Sequence, residues 1–274
     1  MLATVAEILR MNKLELHNYA EPYAGGCGLA LALLIGGHVS HIHINDVDDL
    51  IWSFWHSVLH DTSSLIEKTL ETNVTMDQWH QQKDIIAHPE KHDHLELGFA
   101  AFFLNRTNRS GIIKKAGTIG GKNQSGKYKI DCRFNKNDLI KRIERIAKYK
   151  NRISLYKEDA LTFLDNAPQY LPKSTFLCID PPYYNKGASL YTSFYEGSDH
   201  KDLRDTVLKL NYPWIITYDN VPEVRGLYSM QRNIEFGLQY SLQEKKTGQE
   251  VLIPSKGLRL PRQLKQGSLL KNVA

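Results

Sequence analysis

The alternation of apolar and polar positions divides the chain into short strands and helices that follow one another. Residues 2–14 carry apolar side chains at helical spacing and predict a short amphipathic helix. His17–Glu21 predicts a strand running into the glycine turn Ala24-Gly25-Gly26-Cys27-Gly28, and Leu29–Ile35 a small apolar helix closed by Gly36-Gly37. Val39–Ile44 alternates as a strand, ends at Asn45-Asp46, and gives way to an aromatic-rich helix over Asp49–Leu59. Strand, turn, helix and strand in that order begin a parallel α/β sheet. Residues 65–91 are polar and helical without a strong period. His94–Asn105 is a firmer helix, with Leu95, Leu97, Phe99, Phe102 and Phe103 as its apolar surface. Arg106–Phe134 reads as a loop, with seven glycines and serines among its cations. The strand pattern resumes at Arg152–Tyr156, Ser174–Ile179 and Trp214–Tyr218, and Asn233–Leu242 with Glu250–Ile253 predicts a terminal hairpin.

This pattern predicts a sheet domain in two parts, 1–60 and 151–254, with a helical, basic lobe at 61–150 inserted and a mobile basic tail at 255–274. A chain of 274 residues is long enough for one such core with an insertion. Charge sharpens the division. Residues 105–152 hold fifteen Lys and Arg against Asp131, Asp138 and Glu144, a local net of +12, which leaves −7 on the rest of the chain. One basic block on an acidic body predicts contact with a polyanion through one region. The plainer alternative is a solvated basic helix over Leu139–Lys150. No apolar run reaches about 18 residues, the length a membrane helix needs. The start lacks the charged-then-apolar pattern of a signal peptide, and Cys27, Cys132 and Cys178 have no zinc spacing. The expectation is an intracellular protein in a reducing compartment.

The sharpest chemical signal is Asp180-Pro181-Pro182-Tyr183, directly after the apolar run Phe176–Ile179. It falls at the carboxyl end of a buried strand, where α/β folds place ligands. An aromatic exocyclic amine is a poor nucleophile because its lone pair is delocalised into the ring. Two acceptors on its hydrogens favour the tetrahedral nitrogen that develops during attack on a methyl group. Asp180 offers one acceptor and the carbonyl of Pro181 the other, while consecutive prolines fix the backbone that presents them. Tyr183 offers a face on which a flipped base can stack. A strand followed by a proline turn, without chemistry, is the competing reading.

The second signal is Glu21-Pro22-Tyr23-Ala24-Gly25-Gly26-Cys27-Gly28. Glycines between strand and helix let the backbone approach a ligand closely beside a helix N-terminus. The G-x-G-x-x-G pattern of nicotinamide enzymes, begun at Gly26, needs glycine at Leu31 and fails there. Asp46 ends the next predicted strand, where an acid can bind ribose hydroxyls.

With these motifs in this order the sequence resembles the Dam-type adenine N6 DNA methyltransferases, from about Tyr19 to Ser255. The resemblance rests on Glu21–Gly26, Asn45-Asp46 followed by Phe54-Trp55, and Phe103–Gly111. It continues through Glu158-Asp159-Ala160, Asp180–Tyr183, Leu190-Tyr191, Asp199-His200, Thr217-Tyr218-Asp219 and Glu250–Ile253. It implies a mostly parallel, seven-stranded, Rossmann-like methyltransferase sheet with an inserted DNA-recognition lobe. It also implies S-adenosylmethionine as cofactor, double-stranded DNA as partner with no membrane contact, and a cytoplasmic, nucleoid-associated enzyme, while no stable protein partner is inferable. Glu21, Tyr23, Ala24, Gly25, Gly26, Gly28 and Asp46 would line the cofactor's methionine and ribose, with Asp159 and Ala160 at its adenine. Asp180, Pro181, Pro182 and Tyr183 would hold the target adenine. Arg106, Asn108, Arg109, Lys114, Lys115, Lys122 and Lys127 would face DNA.

The sequence departs from the family in one place. Members usually carry a Pro-Gly-Gly-Lys-like segment before the Glu-Pro strand, and none of the twenty residues before Glu21 matches it. An inactive DNA-binding relative, a methyltransferase of cytosine N4, RNA or a protein glutamine, and a nucleotide-dependent oxidoreductase stay open as alternatives. His41 with His43, and His56 with His60, have spacings that could pair metal ligands, but neither pair has an evident third ligand, so no metal is expected.

Overall fold

The computed structural model describes residues 1–184, 195–239, 247–262 and 264. The chain forms two compact units, one from Met1–Val47 with Arg152–Ala274, the other from Asp48–Asn151. In the first, strands β1 (Asn18–Glu21), β2 (His41–Asn45), β3 (Ile153–Tyr156), β4 (Phe176–Ile179), β5 (Trp214–Asp219), β6 (Ile234–Gln239) and β7 (Thr247–Pro254) build one sheet. Their spatial order is β3-β2-β1-β4-β5-β7-β6. β3, β2, β1, β4 and β5 run parallel, and β7 is antiparallel to both β5 and β6. β4 is buried along its whole length, as its unbroken apolar sequence requires of a strand covered on both faces. From β1 the chain proceeds outward to β2 and β3, then returns to lay β4 on the other side. That reversal opens a crevice at the carboxyl ends of β1 and β4.

Period-two alternation decides one face of the core. Leu177 and Ile179, then Trp214, Ile216 and Tyr218, then Val251 and Ile253 point to the same side. They pack with Phe163 and Leu164 of α8 (Ala160–Asp165), and with Leu203 and Val207 of α10 (Gly197–Lys209). Between α8 and α10 the chain adds only the short α9 (Ala167–Tyr170) among the described helices. α11 (Pro222–Leu227) follows β5 and buries Val224. The expected terminal hairpin is present as β6 and β7, with Ile234 opposite Leu252; residues 240–246 lie outside the described residues.

Helix α1 (Leu2–Met11) is shorter than the sequence pattern suggests because Asn12 stops it. The Asn12 carboxamide donates to the Ile8 carbonyl at 2.7 Å and to the Arg259 carbonyl at 2.8 Å, and accepts from Arg259 N–H at 2.9 Å. This pairing also corrects the expectation of a mobile tail from residue 255. Ser255 exchanges bonds with the Trp214 backbone, and Leu258, Leu260 and Leu264 are buried. Residues 265–274 lie outside the described residues.

The second unit holds α3 (Asp49–His60), α4 (Thr62–Glu71), α5 (Met76–Ala87), α6 (His94–Thr107) and α7 (Lys136–Ala147). The boundary falls at 47/48 rather than after residue 60 because α3 packs on α6. The seam is built from small residues. A Cβ at Gly98 would lie 2.5 Å from the Ser53 carbonyl and 2.7 Å from Ser57 Oγ, so glycine alone fits. α6 starts at a reciprocal capping box between Asp93 and Glu96 and buries every residue from Leu97 to Leu104. The polar stretch 65–91 resolves into α4 and α5, with Thr75 capping α5 through the Gln78 amide at 3.2 Å.

Candidate functional site

Four acids stand at the carboxyl rim of the parallel half-sheet. Glu21 ends β1, Asp46 follows β2, Asp159 follows β3 and Asp180 follows β4, and these strands are neighbours in the order β3-β2-β1-β4. The rim is braced by Asn45, which is wholly buried. Its carboxamide donates to the carbonyls of Pro22 and Glu158 at 3.0 Å each and accepts from Glu158 N–H at 2.9 Å. One side chain thus ties together the loops leaving β1, β2 and β3.

The turn after β1 is built to leave room. Gly25 has φ +47° and Cys27 φ +49°, and a Cβ at Gly25, Gly26 or Gly28 would meet nothing within 4 Å. Asp46 Oδ2 accepts from Gly25 N–H at 2.9 Å, and the Asn45 carbonyl accepts from Ala24 N–H at 2.9 Å, so β2 fixes the turn's shape. Helix α2 (Gly28–Ile35) then begins with no side-chain cap. Tyr23 Oη lies 2.8 Å from Tyr195 Oη, and the Tyr195 ring meets His200 edge-on. Ala160 is buried as the first residue of α8, and Asp159 caps that helix through Oδ1, accepting from Leu161 N–H at 2.9 Å and Thr162 N–H at 3.4 Å. An open glycine turn beside a row of acidic side chains suits a ligand rich in hydrogen-bond donors. S-adenosylmethionine, with its sulfonium, ammonium, ribose hydroxyls and adenine amine, has that chemistry.

Glu21 is buried and accepts from Tyr19 Oη at 2.8 Å. Burial above all, with the nearby charge of Asp180 adding to it, raises its pKa to about 8, against the opposing Tyr19 hydrogen bond. The sign of the linkage follows. Between the ordinary value of 4.5 and about 8, folded Glu21 keeps a proton that the unfolded chain has lost. Stability therefore falls as pH rises across that window, with a slope approaching about 1.4 kcal/mol per pH unit, and levels off above it. Glu21→Gln keeps an acceptor for Tyr19 and removes the titration. Melting temperatures from about pH 5 to about pH 9 are expected to show the variant gaining on the parent as pH rises. A constant difference across the series would mean that Glu21 is ionised throughout.

Asp180 keeps part of its surface open to solvent, while neighbouring protein displaces water from its carboxylate. Loss of hydration raises its pKa, opposed by Thr217 Oγ1, which donates to Oδ1 at 2.7 Å. Pro181 and Pro182 are buried. Tyr183 Oη donates to Glu250 Oε1 at 2.7 Å, and Tyr184 N–H donates to Asp219 Oδ1 at 2.9 Å. Three residues of β5 and β7 thus pin the turn. Sequence reasoning noted Thr217, Asp219 and Glu250 only as parts of a resemblance and gave them no role. Their one signal was their position near strand ends. Leu190-Tyr191 lies outside the described residues.

In the second unit the expected DNA-facing residues separate into two groups. Arg109, Lys115, Lys122 and Lys127 are exposed, Arg106 is half-buried, and Lys114 pairs with Asp48 at 3.1 Å. Asn108 corrects the expectation: it is wholly buried. Its carboxamide accepts from Trp79 Nε1 at 2.7 Å and donates to the carbonyls of Ile112 at 2.8 Å and Ile113 at 2.9 Å. It organises the loop after α6 from within and has no side-chain atom to offer a duplex.

The histidine pairs serve packing. His43 bridges Tyr156 Oη and Asn18 Oδ1 at 3.0 Å each, and His41 meets Ser154 Oγ at 2.9 Å, all within the sheet. Burial, then the charge of His41, lowers the pKa of His43 to about 4. The His56 and His60 rings lie 4.8 Å apart, tilted at 44°, in an aromatic group with Trp52 and His94. Among the described residues no three His, Cys, Asp or Glu are placed to hold a metal ion, and no helix is long and apolar enough to cross a membrane.

No curated protein matches the chain. A family model described as D12 class N6 adenine-specific DNA methyltransferase matches residues 4–242, nearly the whole chain. That span takes in the open turn, the braced acidic rim and Asp180–Tyr183, and the seven-stranded sheet beneath them has a Rossmann-like methyltransferase fold. The chain therefore belongs to the D12 class of N6 adenine-specific DNA methyltransferases.

Proposed function

We propose that the enzyme takes its methyl group from S-adenosylmethionine, held along the rim of β1, β2 and β3, and methylates an adenine extruded from the duplex beside Asp180. The observation that carries this reading is the juxtaposition at the β1–β4 reversal. An open glycine turn stands next to a pinned Asp-Pro-Pro-Tyr turn on adjacent strands. Bound at the rim, S-adenosylmethionine supplies an electrophilic methyl group. Tyr23 to Gly28 would flank its methionine and ribose, Asp46 its ribose hydroxyls, and Asp159 its adenine amine.

Asp180 accepts one hydrogen from the target amine through Oδ2, since Oδ1 is engaged by Thr217. The Pro181 carbonyl accepts the other. Together they draw the nitrogen towards the geometry in which its lone pair is available, and the raised basicity of Asp180 strengthens that pull. Tyr183, fixed by Glu250, offers its ring to the base. An amine stacked inside a duplex cannot reach these groups, so the nucleotide must leave the stack. Arg106, Arg109, Lys114, Lys115, Lys122 and Lys127 would hold the DNA backbone, and the enzyme would work beside nucleoid DNA in the cytoplasm.

The test is transfer of labelled methyl from S-adenosylmethionine to unmethylated DNA, followed by nucleoside analysis. Label in N6-methyladenine is expected, together with a rise in fluorescence when 2-aminopurine replaces the target base. Label in another base, or transfer without the fluorescence change, overturns the corresponding half of the reading.

A further inference from the structure

Two guanidinium groups, those of Arg106 and Arg133, meet on Asn105 near the end of α6. Arg106 stands in the last turn, and its Nε donates to Asn105 Oδ1 at 3.0 Å, with Nη2 bonded to the same oxygen. Arg133 donates through Nη2 to the Asn105 carbonyl at 3.1 Å and the Asn108 carbonyl at 2.5 Å. These carbonyls belong to the helix end, where intrahelical donors run out. Asn105 is thus gripped by both arginines, one on its side chain and one on its backbone. Arg142 projects from α7 and is exposed. Burial first, then the charges of Arg133 and Arg142, push the pKa of Arg106 below its ordinary value, so the charge of Arg142 adds to that of the Arg106–Arg133 pair.

Such a cluster works against folding unless something offsets it. The carboxyl end of α6 contributes about half a negative charge, too little for three cations. Among the described residues none of the three is in an ion pair with an acid. Arg133 spends one nitrogen on the helix end, and its Nε and Nη1 make no hydrogen bond among the described residues. Arginine forks match the oxygens of a phosphate two at a time, which lysine cannot do.

We propose that Arg106, Arg133 and Arg142 together hold one backbone phosphate of the DNA substrate, making the end of α6 a sequence-independent anchor. The proposal rests on the reading of this unit as the DNA-binding part. It adds Arg133 and Arg142 to the contact surface and gives Arg106 a specific ligand.

Arg142 makes no hydrogen bond among the described residues, so Arg142→Gln removes a charge without removing a structural contact. Binding of the full chain to two labelled duplexes of unrelated sequence is measured by anisotropy over a salt series. Arg142→Gln is expected to lower the slope of log K against log salt by up to about 0.9, the value for one whole phosphate contact, equivalent to at most about fivefold weaker binding near 0.15 M salt. The loss is expected to be equal on both duplexes, with melting temperature and S-adenosylmethionine affinity unchanged. Arg142→Lys is expected to keep the slope, and Arg106→Gln to reproduce its loss. An unchanged slope in Arg142→Gln, or a loss confined to one duplex, overturns the phosphate site even where the parent methylates DNA. A parent protein that binds no DNA overturns the underlying reading with it.

Discussion

Asp180→Ala is expected to lower the single-turnover rate of methyl transfer by about 10²–10³-fold or more while DNA affinity stays within about twofold. In the proposed reaction the carboxylate is the acceptor on the reacting amine, and no second carboxylate hydrogen-bonds with it among the described residues. Thr217 Oγ1 donates to Asp180, and in the variant its neutral hydroxyl is a much weaker acceptor than the carboxylate it would stand in for. Stability should move the other way. Burial raises the pKa of Asp180, which means that the ionised form is held at a cost in the folded protein. Removing it should leave the melting temperature unchanged or slightly higher, the usual relation between active-site strain and stability. Asp180→Asn makes the comparison stricter. It preserves shape and an acceptor for Thr217 but turns an N–H₂ donor towards another amine, so it is expected to be nearly as inactive as alanine. Normal turnover in either variant would remove Asp180 from the chemistry. A falling melting temperature would recast it as a structural residue.

Asn108→Ala is expected to have the largest effect on folding. The change orphans the indole donor of Trp79 and the Ile112 carbonyl, and leaves the Ile113 carbonyl only the long bond from Lys83 Nζ at 3.5 Å. Each unsatisfied buried group costs about 1–3 kcal/mol, so the unit Asp48–Asn151 loses on the order of 3 kcal/mol or more. Asn108→Asp should be no better, because a carboxylate keeps the bond from Trp79 but faces two carbonyl oxygens. Hydrogen exchange should show the amides of Ile112 to Ile119 opening first. DNA binding should fail at every salt concentration together, unlike the shallower salt slope expected of Arg142→Gln. An Asn108→Ala protein that melts normally but binds DNA weakly would return Asn108 to the interface.

The same residue shows where sequence reading stops. An asparagine among arginines and glycines looks like a surface contact, and nothing local says that it points inward. Its partner Trp79 lies on another helix, twenty-nine positions away. Asn45 was legible as a strand end, but its bonds to Pro22 and Glu158 span 23 and 113 positions. The anchors Thr217, Asp219 and Glu250 are similarly remote from the turn they hold. What could be read was what a periodic run and its boundary reveal. Phe176–Ile179 had to be a buried strand, so Asp180 had to stand at its exit. Glycines after β1 marked a turn, and the acid after β2 followed from the strand that carries it. The irregular segment from Ser255 escaped because Leu258, Leu260 and Leu264 are buried without a helical or strand period. Helix α3 was assigned to the sheet domain because amphipathicity shows that a face is covered but not what covers it.

β2 and β3 lie side by side and parallel, with Ile42 opposite Ile153, and the unit Asp48–Asn151 is the stretch of chain between them. Two adjacent parallel strands need a return path of about a dozen residues or more, so this unit is also the crossover that lets β3 reach its register. The consequence is a rule for recombination. Cutting the lobe out and rejoining residue 47 to residue 152 would leave β3 unable to pair, and with it the bond between His43 and Tyr156. Exchanging the whole lobe at the same two junctions supplies another crossover and keeps the sheet. The unit between β2 and β3 is thus exchangeable as a cassette but not dispensable, since it carries the crossover on which the pairing of β3 depends.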